Sequence, residues 1–188
     1  NGNQSTANHP HENFGRELLE LFTIGNGPQI AEGDYTNYTE DDVRAMARAL
    51  TGWRTRYLAS TNPMNLPESY FQANRHDTTD KELSYHFNGF TITNGGEQEY
   101  EQVVDVIFQQ PEVARFICRK LYRHFVYYKI SDEEEQLVIE PMAQIMIDSD
   151  YDIEPALDTL LRSEHFFDML NFGPMIKNPF DFLISALK

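Results

Sequence analysis

Cysteine is nearly absent: Cys118 is the only one in 188 residues. That excludes an internal disulfide and any cysteine-based zinc site. Basic residues are scarce too. Fifteen Lys and Arg stand against 30 Asp and Glu, a formal net charge of −15 with histidines neutral. Phosphate binding depends on clustered cations, so this balance excludes a general nucleic-acid binder, and an anionic membrane surface would repel the chain. No apolar run approaches the ~18–20 residues of a membrane-spanning helix, so no membrane insertion is expected in this segment. The Gly-x-Ser-x-Gly elbow, the Gly-Lys-Ser/Thr phosphate loop and His-Glu-x-x-His are all missing. Aromatic side chains are abundant, with 13 Phe, 10 Tyr and 1 Trp within a 40% hydrophobic composition. That is enough to fill a real core.

The chain starts without Met in a polar stretch, Asn1 to Asn8. It stops at Lys188 inside an apolar helical pattern, Phe180, Leu183, Ile184 and Leu187. It therefore reads as a segment of a longer protein, and its start says nothing about location. Pattern and punctuation predict a mainly α, multi-helix, orthogonal or bundle-like single domain over 1–188. A first helix, 10–24, carries Phe14, Leu18, Leu21 and Phe22 on one face, with Leu19 opposite and Gly25 as its stop. A Gly-rich connection, 26–38, leads to a second helix, 39–52. That helix is capped by Thr39 with Asp42 and buries Val43, Met46, Ala47 and Leu50. The two are expected to pack through these stripes. An insertion at 54–94, broken by Pro63 and Pro67, reads as a small β-hairpin or a long ordered loop. In the hairpin reading Tyr70-Phe71 pairs with the alternating Leu83, Tyr85 and Phe87. Helical periodicity returns at Tyr100–Phe108 and again after Pro111. Ser131 with Glu134 caps a helix that Pro141 must kink or split. Asp152 caps another, and Pro179 opens the last.

Charged residues on the first two helices admit two readings. Glu12, Arg16 and Glu20 share one stripe, while Glu17 lies near the apolar edge. Arg44 and Arg48 lie opposite the buried stripe of the second helix. These are either ordinary surface ion pairs, worth ~0–1 kcal/mol each, or a buried carboxylate–guanidinium network between packed helices. His76-Asp77 reads as a general base or half a metal site, or the Asp simply forms an Asx turn. His9-x-His11 has metal-binding spacing only on a strand, so a capping role is expected. Cys118 sits in an apolar helix and reads as packed rather than nucleophilic.

Three ordered runs carry a resemblance. They are Glu12-Asn13-Phe14-Gly15-Arg16-Glu17-Leu18-Leu19-Glu20-Leu21, then Tyr38-Thr39-Glu40-Asp41-Asp42-Val43, then Ala47-Arg48-Ala49-Leu50-Thr51-Gly52-Trp53. With Phe71, His76, Asp77 and Lys81, and with Ile176-Lys177-x-Pro179, they resemble the bacterial family catalogued as domain of unknown function 1800. His11 and Gly15 depart from its pattern, which has Asn and Ala there. The resemblance implies a bacterial protein exported to the envelope, with a sulfatase-like protein as partner, and it implies no activity. It singles out Glu12, Arg16, Glu17, Glu20, Asp42, Arg48, Trp53, His76, Asp77 and Lys81, which favours a shared polar cluster between both helices and the loop. Three functions follow as expectations. The first is a helical binding domain for a protein partner. The second is a hydrolase or metal-assisted enzyme built from Glu17, His76 and Asp77, whose donors suit Ca²⁺ or Mg²⁺ better than zinc. The third is a carbohydrate-binding surface on the aromatic insertion.

Overall fold

His11 starts the first helix as its cap, its Nδ1 accepting from the Phe14 backbone N–H at 3.2 Å. The computed structural model describes residues 5–57, 61, 62, 64, 66–171 and 179–187, with backbone alone at 181 and 182. Pro63, Ile176 and Lys177 lie outside these described residues. Helix α1, Glu12–Glu17, continues into a π-helical turn, Leu18–Thr23, and Gly25 ends it at φ 68°. Each π-type bond encloses one residue more than an α-helical one, so the 3.6-residue face read from the sequence turns away here. Leu19 is the fully buried side chain, while Phe14, Leu21 and Phe22 are 53%, 50% and 61% exposed. The expected α1 stripe is therefore corrected: Leu19 and Gly15 face the interior.

Helix α2, Glu40–Ala49, opens on the expected capping box between Thr39 and Asp42. Its Val43, Met46 and Ala47 are buried as the pattern requires, and it packs against α1. Contact is made where side chains are smallest. A Cβ on Gly15 would stand 2.8 Å from the Val43 carbonyl oxygen and 3.2 Å from the Ala47 nitrogen. The glycine thus gives up helix propensity for a close backbone approach.

Among the described residues, the rest of this part holds three antiparallel hairpins, short 3₁₀ turns and one α-helix. β1, Gln29–Ala31, pairs with β2, Asp34–Tyr35. β3, Trp53–Arg56, pairs with β4, Glu68–Phe71, and β5, Lys81–Glu82, pairs with β6, Thr91–Ile92. Tyr70-Phe71 therefore pairs with Trp53 and Arg54, not with 83–87 as the alternation suggested. Leu83 and Phe87 are indeed buried. They are brought inward by a 3₁₀ turn, Tyr85–Phe87, in which Ser84 Oγ accepts from the His86 N–H at 3.2 Å. Asn88 and Gly89 close it in the left-handed region, so turn chemistry overrides the strand period. Helix α3, Glu99–Phe108, follows.

The contacts divide the chain, read as one domain from sequence, into two compact units, Asn1–Val113 and Ala114–Lys188. In the second, most of α4, Glu112–Phe125, the end of a π-turn, Glu135–Ile139, α6, Glu140–Asp148, and α7, Ile153–Arg162, gather Cys118, Tyr122, Ile139, Met142, Met146 and Leu160 into a core. Burial pushes the Cys118 thiol up to about 12, as a packed rather than nucleophilic residue requires. Ser131 and Glu134 form the expected capping box of α5, Asp132–Glu134. The π-turn then leads into α6, where Pro141 lies in the first turn. The helical run is not broken there. It passes from α5 through the π-turn into α6 with helical backbone at Ile139 and Glu140. The wider turn just before Pro141 accommodates proline's missing N–H. The last helix, α8, spans Pro179–Ala186. The protein is mainly α, with small two-stranded hairpins.

Leu19→Ala is expected to cost ~2–5 kcal/mol in urea melts. Leu21→Ala, at a half-exposed site, should cost well under half of that. Equal losses would contradict the rotated α1 face.

Candidate functional site

Gly52, at φ +89°, turns the chain from α2 into β3, and a Cβ there would lie 2.8 Å from the Phe71 ring and 3.1 Å from His76 Cβ. Only glycine permits that approach. Thr51 Oγ1 donates to the Arg48 carbonyl at 2.7 Å and accepts from the Asp77 N–H at 2.8 Å, which fixes His76 beside it. The imidazole is buried between two acceptors. Nδ1 lies 2.9 Å from the Thr51 carbonyl oxygen and Nε2 2.7 Å from Glu99 Oε2. A carbonyl only accepts, so the Nδ1 contact is made by a ring N–H, and the Nε2 contact completes the ring's hydrogen bonding to protein. The other oxygen of Glu99 takes Lys81 Nζ, which also donates to the Asp77 carbonyl at 2.6 Å. Lys81 and Glu99 side chains are both fully buried.

Around this centre lies a rim of charged pairs. Arg48 Nε donates to Asp77 Oδ2 at 2.8 Å, and its Nη2 to Thr79 Oγ1. Burial pushes the Asp77 carboxyl up. Hydrogen bonds from Arg48 and from the Thr79 hydroxyl and N–H, with the charge of Arg48, outweigh this and hold it well below the usual carboxylate range. Asp42 is buried at the start of α2, where it accepts from the Ser84 N–H and hydroxyl, both at 2.7 Å. Arg16 makes a two-pronged pair with Glu40, at 2.7 and 2.5 Å, joining α1 to α2. Tyr38 donates to Glu20 at 3.4 Å. Glu12 is exposed in the first turn of α1.

The structure does not gather Glu17, His76 and Asp77 into one constellation. His76 and Asp77 are taken up by Glu99, Thr51, Arg48 and Thr79. Glu17 faces a different feature, a cavity of about 480 Å³. Asn13, Phe14 and Glu17 of α1, Leu50 after α2, and Trp53, Arg54 and Ser69 of the β3–β4 hairpin line this groove. An apolar recess of about 320 Å³ continues from it, walled by Phe14, Leu50, Trp53 and Tyr100. Trp53 sits edge-on to Phe71 and to Tyr100, each at 5.6 Å. Arg54 Nη1 is shut off from solvent and has no hydrogen-bond partner. Among the described residues, no three His, Cys, Asp or Glu side chains are placed to hold a metal ion, so the Ca²⁺ or Mg²⁺ reading has no donor set there.

Glu99, Arg54, Tyr100, Ser84 and Glu40 were not anticipated from sequence as parts of the site. One signal for Glu99 is present. Lys81 has the parity of Leu83 in an alternating run, and an ammonium on a buried parity needs a carboxylate.

The folded Asp77 carboxyl titrates below its unfolded value of ~3.9. Its contribution to stability is therefore fully present above that pH and is lost as the pH falls through it toward the depressed folded value. Asp77→Asn should be less stable than the native chain at neutral pH, with the gap narrowing in urea melts at roughly pH 3. A gap independent of pH would contradict the pairing.

No curated protein and no solved structure matches the chain. One family model matches residues 1–188, the full sequence, which includes the α1 and α2 runs that hold Arg16, Asp42 and Arg48. The chain belongs to that family, whose description is protein of unknown function (DUF1800).

Proposed function

We propose that the first unit is a ligand-binding module of an exported bacterial envelope protein, taking its ligand in the groove beside Trp53. Arg54 carries this reading. A buried donor left unpaired costs ~1–3 kcal/mol, and more when charged, and native proteins keep few of them. Nη1 itself is closed to solvent, but the half-buried guanidinium lines the groove without a carboxylate partner, and an acceptor on a bound ligand would supply one there. The groove also has the volume of a small-molecule site and a cluster of aromatic side chains, Phe14, Trp53 and Tyr100, beside the guanidinium.

The same geometry argues for binding over hydrolysis. The only imidazole of the proposed catalytic set, His76, has both nitrogens engaged by protein and lies buried. A general base must reach the proton it removes. Two aromatic residues of the insertion are engaged within the protein: the Tyr85 hydroxyl donates to Asp34 at 2.9 Å, and the Tyr57 ring lies under Arg56 at 5.6 Å.

Trp53 is the only tryptophan in the sequence, so its fluorescence reports on the groove alone. Titration with the apolar anionic dye anilinonaphthalene sulfonate should show saturable energy transfer from Trp53. Phe14→Ser, at an exposed position, should weaken this binding about tenfold or more, the loss expected for one buried aromatic contact. Dye binding without transfer, or transfer indifferent to Phe14→Ser, would overturn the assignment of the groove.

A further inference from the structure

The groove carries two opposite charges that do not neutralise each other. Arg54 enters from β3 and Glu17 from α1, and both line the same cavity. Neither makes an ion pair with the other: Glu17 Oε1 accepts from Asn13 Nδ2 at 2.7 Å, while Arg54 Nη1 is buried and unpartnered. Elsewhere in this unit the guanidinium groups of Arg16, Arg44, Arg48 and Arg56 are each paired with a carboxylate, while Arg75 is exposed. In a chain with 30 acidic and 15 basic side chains, a half-buried guanidinium that lines a groove and has no acid partner calls for a ligand.

The two charges together narrow the ligand. A simple anion would satisfy Arg54 but be repelled by Glu17. A simple cation would satisfy Glu17 and be repelled by Arg54. A neutral apolar molecule would fill the recess beside Phe14, Trp53 and Tyr100 while leaving both charges unpaired in a partly water-excluded cavity, where that is costly. A molecule with separated opposite charges and an apolar body answers all three features. Resting on the reading of this groove as a binding site, we propose that it selects a zwitterion with a large apolar side chain, a free amino acid or a short peptide. The ligand carboxylate meets Arg54, the ammonium meets Glu17, and the side chain enters the aromatic recess. Arg suits this task because its planar donors match a carboxylate two-pronged.

The test is calorimetric titration of the full chain, with Trp53 fluorescence in parallel, using L-phenylalanine, its amide, its N-acetyl derivative and the dipeptide phenylalanyl-alanine. Either the free amino acid or the dipeptide should bind more tightly than the other two. Whichever is tighter identifies the source. Removing the ligand's carboxylate or its ammonium should each weaken binding by about tenfold, the range of one charge-assisted hydrogen bond. Arg54→Gln should erase the preference for the acid over the amide, and Glu17→Gln the preference for the free amine over the N-acetyl form. Melting temperatures of both variants confirm that they fold. Amide and N-acetyl forms binding as well as the zwitterion would overturn the proposal, as would selectivity unchanged in both variants. If the dye of the preceding test occupies the groove and no zwitterion binds, the ligand class falls and the binding role stands. If neither binds, both fall.

Discussion

Burying a carboxylate costs several kcal/mol even after the protein relaxes around it, and that cost is offset only when its partners are well placed. Glu99 meets this condition through two groups. Lys81 reaches one oxygen and the His76 ring the other, with no solvent exposure at Glu99 or Lys81. Each partner arrives from a different element. Lys81 comes from β5, His76 from the loop after β4, and Glu99 itself from the start of α3. The Thr51 carbonyl, at the end of α2, holds the far side of the ring. Four segments separated in sequence thus have their relative positions set by one carboxylate, and a shift of any of them would leave a charge unpaired.

The groove depends on the same carboxylate. Tyr100 is the residue after Glu99, and Trp53 follows Thr51 by two. Fixing Glu99 and Thr51 therefore fixes two walls of the apolar recess. Gly52 and Phe71 complete the link: the missing Cβ at Gly52 lets the ring of Phe71 approach, and Phe71 lies against both His76 and Trp53. His76 and Asp77, two of the three residues read as a catalytic set, are bonded into this frame, whereas Glu17 lines the groove. Chemistry-bearing side chains are consumed in holding it, while the groove keeps unpaired Arg54 and exposed Phe14 for a ligand.

Local chemistry was the legible part of the sequence. Thr39 with Asp42, Ser131 with Glu134, and Asp152 each cap a helix by bonds spanning two or three residues, and such bonds need no knowledge of the rest of the chain. The mainly α class followed from the same periodicity and punctuation. The pairing of Arg48 with Asp77 was partly legible, because a planar guanidinium patterned with a loop carboxylate needs a fixed acceptor. What failed to read had non-local causes. A π-turn at Leu18–Thr23 rotated the buried face of α1, and a capped 3₁₀ turn at Tyr85–Phe87 imitated strand alternation. Glu99 looks like any acid in the first turn of a helix, where the backbone dipole already favours it. Its burial depends on Lys81, eighteen residues earlier. Arg54 was hidden for the opposite reason: its distinction is the partner it lacks.

The account stands on the claim that Glu99 and Lys81 are tolerated in the interior only as a pair. A double-mutant cycle with Glu99→Gln and Lys81→Met, read by urea melts, tests it most directly. Each single change strands one charge or one strong donor and should cost ~3–5 kcal/mol, whereas the double variant should recover most of one loss because neither charge then remains. Additive losses, or single variants as stable as the native chain, would contradict the claim.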